Sequence, residues 1–224
     1  LLRTAWTYIA SGALRRLMWL RKGPVIAALY PVGMLLLQLL LALGLGALAG
    51  WLLVLGLRTA GAPTGGWAWA LRLAVLAAVA VPVLRWFRSR DGRFYAYYLM
   101  HDYAFSACWG GANPPALEAR MAEFRRLVAA ALAEDGIDEV LVVGHSSGAH
   151  LAVSVLADLI RAGEGPRDGG PALGLLTLGQ VIPMMSFLPR ASRLRADLAF
   201  LSARGDLAWV DVTAPGDGCA FALC

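Results

Sequence analysis

Cysteines are scarce in this chain of 224 residues, which has three of them, and their scarcity and spacing exclude some classes of protein. The three cysteines show neither a CxxC spacing nor a metal-ligand pattern, so neither a disulfide framework nor a metal site is expected. We interpret them as free thiols in a reducing compartment. The chain also lacks the GxGxxG and Walker motifs of nucleotide-binding turns. No cofactor is therefore predicted.

Charged residues make up 16% of the sequence and apolar residues 59%, whereas soluble domains average about 25% and about 45–50%. The charges are unevenly placed. Residues 1–93 hold eleven bases and one acid, and residues 94–224 hold nine bases and fourteen acids. The basic charge thus belongs to the more apolar half, which is typical of segments flanking membrane spans. A nucleic-acid footprint would lie on the folded domain, so no nucleic-acid partner is predicted.

Two long apolar runs predict a transmembrane helical hairpin within residues 23–88. Residues 24–57 carry no charged side chain, and residues 67–84 carry one, Arg72. The first run exceeds, with room for tilt, the roughly 20 residues that a membrane-spanning helix needs, and the second run comes close to that length. The glycines at 44, 46 and 50 could admit a neighbouring helix, but we favour the simpler interpretation that glycine is frequent in membrane helices.

Arginines flank the predicted hairpin on both outer sides, whereas its connecting loop carries only Arg58. By the positive-inside rule both ends face the cytoplasm. Arginine outnumbers lysine nineteen to one, which suggests a GC-rich bacterial coding sequence. We therefore expect a multi-pass protein of the bacterial inner membrane, with the lipid bilayer as a partner. Residues 1–22 are either a juxtamembrane amphipathic helix or the end of an upstream segment.

Residues 94–224 alternate between strand and helix patterns, which predicts an α/β domain with a parallel sheet. Strands are predicted at 93–100, 139–144, 172–179 and 207–212. The helix after the first of these is expected to be capped by Asn113. The apolar run at 139–144 is typical of a strand buried on both faces. Ligands of such open sheets bind beyond the carboxyl ends of the strands.

The segment "VLVVGHSSGAHLA" places a GxSxG motif between a strand and a helix, with Ser146 at its centre. A sharp turn of this kind crowds its flanks, so Gly144 and Gly148 are expected to avoid a clash of Cβ atoms. The serine hydroxyl would stand above the sheet edge. The Ser147 N–H, at a helix N-terminus, would stabilise a developing oxyanion. A phosphate-binding turn is the alternative, but the nucleotide-binding motifs are missing.

On this motif and the strand–helix order around it, the chain resembles the α/β-hydrolase family in its lipase and esterase branch. The resemblance implies a serine nucleophile, an acid after a later strand and a histidine nearer the C-terminus. Two aspartates could be the acid. Asp217 follows the last predicted strand and is favoured, whereas Asp211 lies inside that strand.

The histidine required by the resemblance is missing, because none follows His150. His150 lies on the helix behind the turn, His145 is expected to pack beside the sheet, and His101 is predicted either to line the pocket or to be structural. The resemblance places the base beyond Cys224, so we expect the sequence to be a fragment. The alternative is a module that kept the hydrolase fold without its chemistry.

The predicted function is a membrane-anchored serine hydrolase that cleaves an acyl ester of a small molecule or a lipid. Ser146 would be the nucleophile and Asp217 the acid. The second oxyanion donor is expected near Tyr103, and Met184 is expected in an apolar acyl pocket or in the core. The alternatives are a non-catalytic membrane scaffold or binding protein, an acyltransferase and a thioesterase.

Overall fold

The structure is a computed structural model that describes residues 2–214, 217 and 220–221. These form two compact units, Leu1–Ala28 with Tyr103–Cys224, called here the α/β unit, and Leu29–Asp102, called the hairpin unit. The elements in chain order are α1 Leu2–Ala10, α2 Ala13–Leu20, α3 Lys22–Ala28, α4 Tyr30–Thr59, α5 Ala68–Ser89, α6 Asp91–Phe94, α7 Ala96–Cys108, α8 Pro115–Leu132, β1 Glu139–His145, α9 Gly148–Arg161, β2 Ala172–Leu178, α10 Ile182–Ser186, α11 Ser192–Ser202 and β3 Ala208–Val212.

The α/β unit is built on a parallel sheet of three strands in the order β1-β2-β3 across the described residues. β1 pairs with β2 along its full length, from Glu139 opposite Ala172 to His145 opposite Leu178. β2 pairs with β3 over a shorter stretch that ends with Leu178 opposite Val212. The predicted mixed α/β fold with a parallel sheet is confirmed. All three strands end at one edge, the carboxyl edge, where β1 leads to Ser146.

In the part of the chain that the structure describes, helices cover one face of this sheet. α9 packs on β1 and β2, and α8 and α11 pack on α9. The connections from β1 to β2 and from β2 to β3 both move one strand in the same direction across the sheet. Because such crossover connections are almost always right-handed, their helices lie on the same face of the sheet. The opposite face is open within the described residues: its exposed side chains are Leu141, Val143, Val210 and Val212, which are 48–56% exposed. The prediction that β1 is buried on both faces is therefore wrong.

The strand predicted at residues 93–100 is also wrong, because this segment is helical. α6 ends at Tyr95, whose φ of 52° turns the chain, and α7 follows at once. The Asp91 carboxylate accepts hydrogen bonds from the N–H groups of Tyr97 and Tyr98 at 3.0 and 2.9 Å. These donors have no partner inside α7, so Asp91 stabilises its first turn. Capping here outweighs the strand preference of the aromatic residues.

The helix predicted after Asn113 is present as α8, but its cap differs. Pro114 occupies the N-cap position and no side chain caps the helix. The Asn113 amide instead donates to the Met121 sulfur at 3.6 Å. The loop expected at residues 180–189 contains the short helix α10.

The hairpin unit consists mainly of α4 and α5, which pack against each other. Two helical segments, Lys22–Thr59, which comprises α3 and α4, and Ala68–Ser89, which is α5, are long and apolar enough to cross a membrane. A Cβ atom at Gly46 would lie 2.7 Å from the Leu76 carbonyl oxygen, and one at Gly50 would lie 3.1 Å from the Arg72 carbonyl oxygen. These two glycines therefore permit the approach of α5. Our preference for a merely compositional role is wrong for both, while a Cβ at Gly44 would meet nothing within 4 Å.

Candidate functional site

Ser146 has a left-handed backbone, with φ of 54°, in the turn between β1 and α9. A side chain with a Cβ adopts this region only at a cost of about 1–2 kcal/mol. Two hydrogen bonds hold the turn: the Ser146 N–H donates to the Leu178 carbonyl at 3.0 Å, and the Ala149 N–H donates to the Ser146 carbonyl at 3.2 Å. The strand–turn–helix context that a GxSxG nucleophile requires is therefore present.

The two glycines of the motif play different parts. A Cβ at Gly144 would lie 2.7 Å from the Ala149 Cα, so only glycine lets α9 return this close to β1. A Cβ at Gly148 would meet nothing within 4 Å. The expectation that both glycines relieve crowding holds for Gly144 and is wrong for Gly148.

Ser147 is the N-cap residue of α9, with φ of −65° and ψ of −24°. Its N–H donates to no acceptor among the residues that the structure describes. α9 has 14 residues and no acid in its first turn, so the partial positive charge of its N-terminus is not neutralised locally. The Ser147 N–H is thus available to an oxygen that becomes negative beside Ser146.

Asp217 lies at the same carboxyl edge as Ser146. Its Oδ2 atom lies only 2.5 Å from where a Cβ at Gly179 would stand, and Gly179 follows directly on β2. The preceding residue, Leu178, is the one whose carbonyl holds the Ser146 turn. The end of β2 therefore contacts both the serine turn and the Asp217 carboxylate. Pro215, Gly216, Gly218 and Cys219, which flank Asp217, lie outside the described residues.

Asp211, the other candidate acid, is engaged inside the sheet. Thr177 donates its hydroxyl to Asp211 Oδ1 at 2.6 Å and accepts a hydrogen bond from the Trp209 indole N–H at 3.1 Å. Thr177 is fully buried and lies beside Asp211 across β2 and β3. This chain of hydrogen bonds gives Asp211 a structural partner within the sheet.

None of the three histidines donates to or accepts from the Ser146 hydroxyl in the described part of the chain. His150 is 7% exposed, and its burial lowers its pKa to about 4, so it is neutral at neutral pH. His145 ends β1 with an exposed side chain. His101 is exposed on α7, in the hairpin unit, because the strand expected to bring it to the sheet edge is helical.

The other predicted pocket residues belong to a small apolar cluster, called here the edge cluster. Met184 is 9% exposed on α10 and contributes to it together with Leu17 and Phe221, and the half-buried Tyr103 packs against it. The Tyr8 hydroxyl donates to the Met184 carbonyl at 3.4 Å. The described structure thus shows Met184 packed in a core and not lining an open pocket.

Gln180 is a residue of this edge that the sequence analysis missed. It is fully buried, its Oε1 accepts the Ile182 N–H at 2.8 Å, and its carbonyl accepts the Phe221 N–H at 2.9 Å. Gln180 therefore ties the segment after β2 to the segment after β3. Its only signal in the sequence was a polar residue directly after an apolar strand, within a run interpreted as an apolar loop.

A cleft also opens at the amino edge of the sheet, lined by the segments before β1 and β2, including Ile137, Asp138, Gly165 and Arg167. None of the predicted site residues lines it. No group of three potential metal ligands occurs among the described residues. The chemistry that the carboxyl edge offers is therefore a strained serine, a helix N-terminus and a nearby carboxylate. Comparison of the chain with family models, curated proteins and solved structures finds no match.

Proposed function

We propose that this chain is a membrane-anchored serine hydrolase of the α/β-hydrolase type that cleaves an acyl ester. The observation that carries the proposal is the left-handed Ser146 between β1 and α9, beside a glycine that no other residue could replace without a clash. Backbone strain of this kind concentrates at functional sites. A turn that only connects a strand to a helix could carry glycine at this left-handed position without strain, so the serine there points to a function.

In the proposed reaction the Ser146 hydroxyl oxygen attacks the ester carbonyl and its proton passes to a base. The carbonyl oxygen becomes negative and accepts a hydrogen bond from the Ser147 N–H. The C–O bond to the alcohol then breaks, and the alcohol leaves with the proton. Water attacks the acyl-serine, releasing the acid and restoring Ser146. A thioester substrate or an acyl acceptor other than water would use the same acyl-serine.

The proposed base is a histidine from outside these 224 residues, oriented by Asp217. The buried and neutral His150 is not hydrogen-bonded to Ser146. Asp217 fits the role of the acid better than Asp211, because Asp211 is held by Thr177 within the sheet. By the arginine distribution, the α/β unit is proposed to face the cytoplasm of a bacterial cell.

A fluorophosphonate probe tests this proposal on the protein in its native membrane. The full-length wild-type protein should be labelled, and Ser146→Ala should lose labelling and reduce ester hydrolysis on the order of 10⁴- to 10⁶-fold. Ser147→Ala is the matched control: it removes the adjacent hydroxyl, keeps the backbone N–H and should label normally. Wild-type protein that is folded yet neither labels nor hydrolyses any ester would contradict the proposal.

One observation favours a second candidate, a non-catalytic membrane scaffold. The open sheet face exposes four large aliphatic side chains, whereas parallel sheets are normally covered on both faces. Such a surface suits a protein partner. The probe experiment separates the candidates, because a scaffold would leave Ser146 unlabelled.

A further inference from the structure

The outward face of α1 is apolar, although this helix is part of the α/β unit. Leu2, Trp6 and Ile9 are 90%, 71% and 60% exposed. Their spacing of four and three residues places them on one side of the helix, called here the outer stripe. The inward side is fixed to the unit by the buried Thr4 and by Tyr8, whose hydroxyl donates to the Met184 carbonyl. The outer stripe is therefore held in place and has no cover among the described residues.

α2, which packs against α1, has exposed basic and aromatic side chains of its own. Its inward residues Ala13 and Leu17 are 0% and 2% exposed, whereas Trp19 is 90% exposed. Arg15 and Arg16 are also exposed. No acidic residue occurs before Asp91 in the sequence, so no nearby carboxylate within α1–α3 neutralises these arginines.

The same helices pack inward against the edge that carries Ser146. Leu17 of α2 and Val25 of α3 form the edge cluster with Met184 and Phe221, which follow β2 and β3. The Arg21 guanidinium also donates to the Ala220 carbonyl, at 3.5 Å. Whatever binds the outer side of α1 and α2 is thus brought close to the carboxyl edge of the sheet.

We propose that α1 and α2 lie on the surface of an anionic lipid bilayer and hold the carboxyl edge of the sheet at the level of the lipid headgroups. Apolar and tryptophan side chains beside uncompensated arginines match the chemistry of that interface, because the rings enter the headgroup region and the bases meet lipid phosphates. Continuity favours a bilayer over a protein partner: α3, which follows α2 after one residue, begins the candidate span Lys22–Thr59.

The surface itself does not depend on the proposed function, but its consequence for the substrate does. If Ser146 is a nucleophile, its ester is a lipid or another amphiphile presented at the bilayer surface. A water-soluble ester could still reach the edge from the aqueous side. Docking should therefore matter for the first kind of substrate and not for the second.

The full chain, reconstituted in nanodiscs, tests the docking without any activity measurement. After Cys108, Cys219 and Cys224 are replaced by serine, an environment-sensitive fluorophore is attached at Ala5→Cys, an exposed position of α1 that flanks the outer stripe and keeps its three large side chains. The matched control is Ala130→Cys, also an exposed alanine on a helix of the same unit. The probe at 5 should be quenched by spin-labelled lipid and shielded from aqueous iodide, and the probe at 130 should behave in the opposite way.

Variants then test the chemistry of the contact. Trp6→Ser with Ile9→Ser should make the probe at 5 respond like the probe at 130, whereas Leu127→Ser, at a 65% exposed leucine of α8, should change nothing. Arg15→Glu with Arg16→Glu should weaken the lipid quenching in discs that contain phosphatidylglycerol, with less effect in pure phosphatidylcholine. Equal quenching of the probes at 5 and 130 in both kinds of disc would overturn the proposal, and shielding of position 5 from iodide without lipid quenching would indicate a protein partner instead.

Activity separates this proposal from the proposed function. The full-length wild-type protein should hydrolyse both a bilayer-embedded ester and a short-chain soluble ester. Trp6→Ser with Ile9→Ser, which removes the docking, should lose hydrolysis of the bilayer-embedded ester and retain hydrolysis of the soluble one. Lipid quenching without hydrolysis of either ester would leave the docking surface standing and refute the hydrolase. Hydrolysis of both esters without lipid quenching would support the hydrolase and refute the docking surface.

Discussion

The α/β unit and the hairpin unit both use glycine to bring two backbones together, and each buries a polar side chain, of which one is hydrogen-bonded and the other, within the described residues, is not. A Cβ at Gly144 or at Gly46 would lie 2.7 Å from the backbone of the opposing helix. In the α/β unit the buried Thr177 hydroxyl is paired with Asp211 and Trp209. In the hairpin unit the buried Gln38 amide has no hydrogen-bond partner among the described residues. Close approach of two backbones therefore does not by itself make a site; the α/β unit adds to it the left-handed Ser146 directly after β1.

The largest effect is expected at Gly144. Gly144→Ala places a Cβ against the Ala149 Cα, so β1 and α9 must separate, at a cost of about 3 kcal/mol. The Ser146 turn would move with α9, and fluorophosphonate labelling should fall sharply. Gly148→Ala is the control, since nothing lies within 4 Å of the new methyl group, and its thermal unfolding in detergent should be nearly unchanged. Equal unfolding temperatures for the two variants would show that the turn is not tightly packed.

A pH dependence of the α/β unit is the second expectation. Burial lowers the pKa of His150 from 6.5 to about 4, so the unfolded chain binds a proton more readily than the folded one between these values. Stability is thus highest above pH 6.5 and falls as the pH drops towards 4, by a total of about 3 kcal/mol. Regional hydrogen exchange should show α9 losing protection in this range, while α4 and α5 do not change. His150→Leu should abolish this loss of protection in α9.

The Thr177 hydrogen bonds should have the third largest effect. Thr177→Val removes the hydroxyl that serves both Asp211 and Trp209 and leaves two polar groups without this partner, at a cost of about 2 kcal/mol. Thr177→Ser keeps the hydroxyl and should lose less stability in thermal unfolding.

A separate test concerns the identity of the catalytic acid. If Asp211 were the acid, Asp211→Asn would abolish ester hydrolysis while Asp217→Asn would not. A parallel hydrolysis assay of these two variants decides between the two aspartates.

Part of this architecture could be predicted from the sequence. The apolar runs gave the positions of α4, α5 and β1–β3 to within a few residues, because long periodic or continuous apolar segments carry a strong local signal. The motif around Ser146 gave the strand–turn–helix order. The helical state of residues 96–108 could not be predicted, since it depends on Asp91 capping α7 from five residues before its start.

The open sheet face and the paired Asp211 illustrate a second limit. A continuous apolar strand such as β1 has the same sequence pattern whether one face of the sheet or both faces are covered. Coverage depends on which face the crossover helices pack against. Similarly, Thr177 and Asp211 are 34 residues apart in the sequence, and only the register of β2 and β3 makes them neighbours. The contacts that decide between Asp211 and Asp217 as the acid are therefore set by sheet pairing, which no local pattern encodes.

The smallest effect, and one of opposite sign, is expected in the hairpin unit at Gln38. This side chain is 1% exposed and neither its Oε1 nor its Nε2 has a partner within the described residues. Gln38→Leu replaces the amide by an apolar group of similar size, so it should leave the stability unchanged or raise it by about 1 kcal/mol. Thermal unfolding in lipid nanodiscs, with Leu37→Ala at the exposed neighbouring position as a control, measures the difference. A loss of stability in Gln38→Leu would mean that the amide has a hydrogen-bond partner outside the described residues, and the contrast between the paired Thr177 hydroxyl and the unpaired Gln38 amide would then disappear.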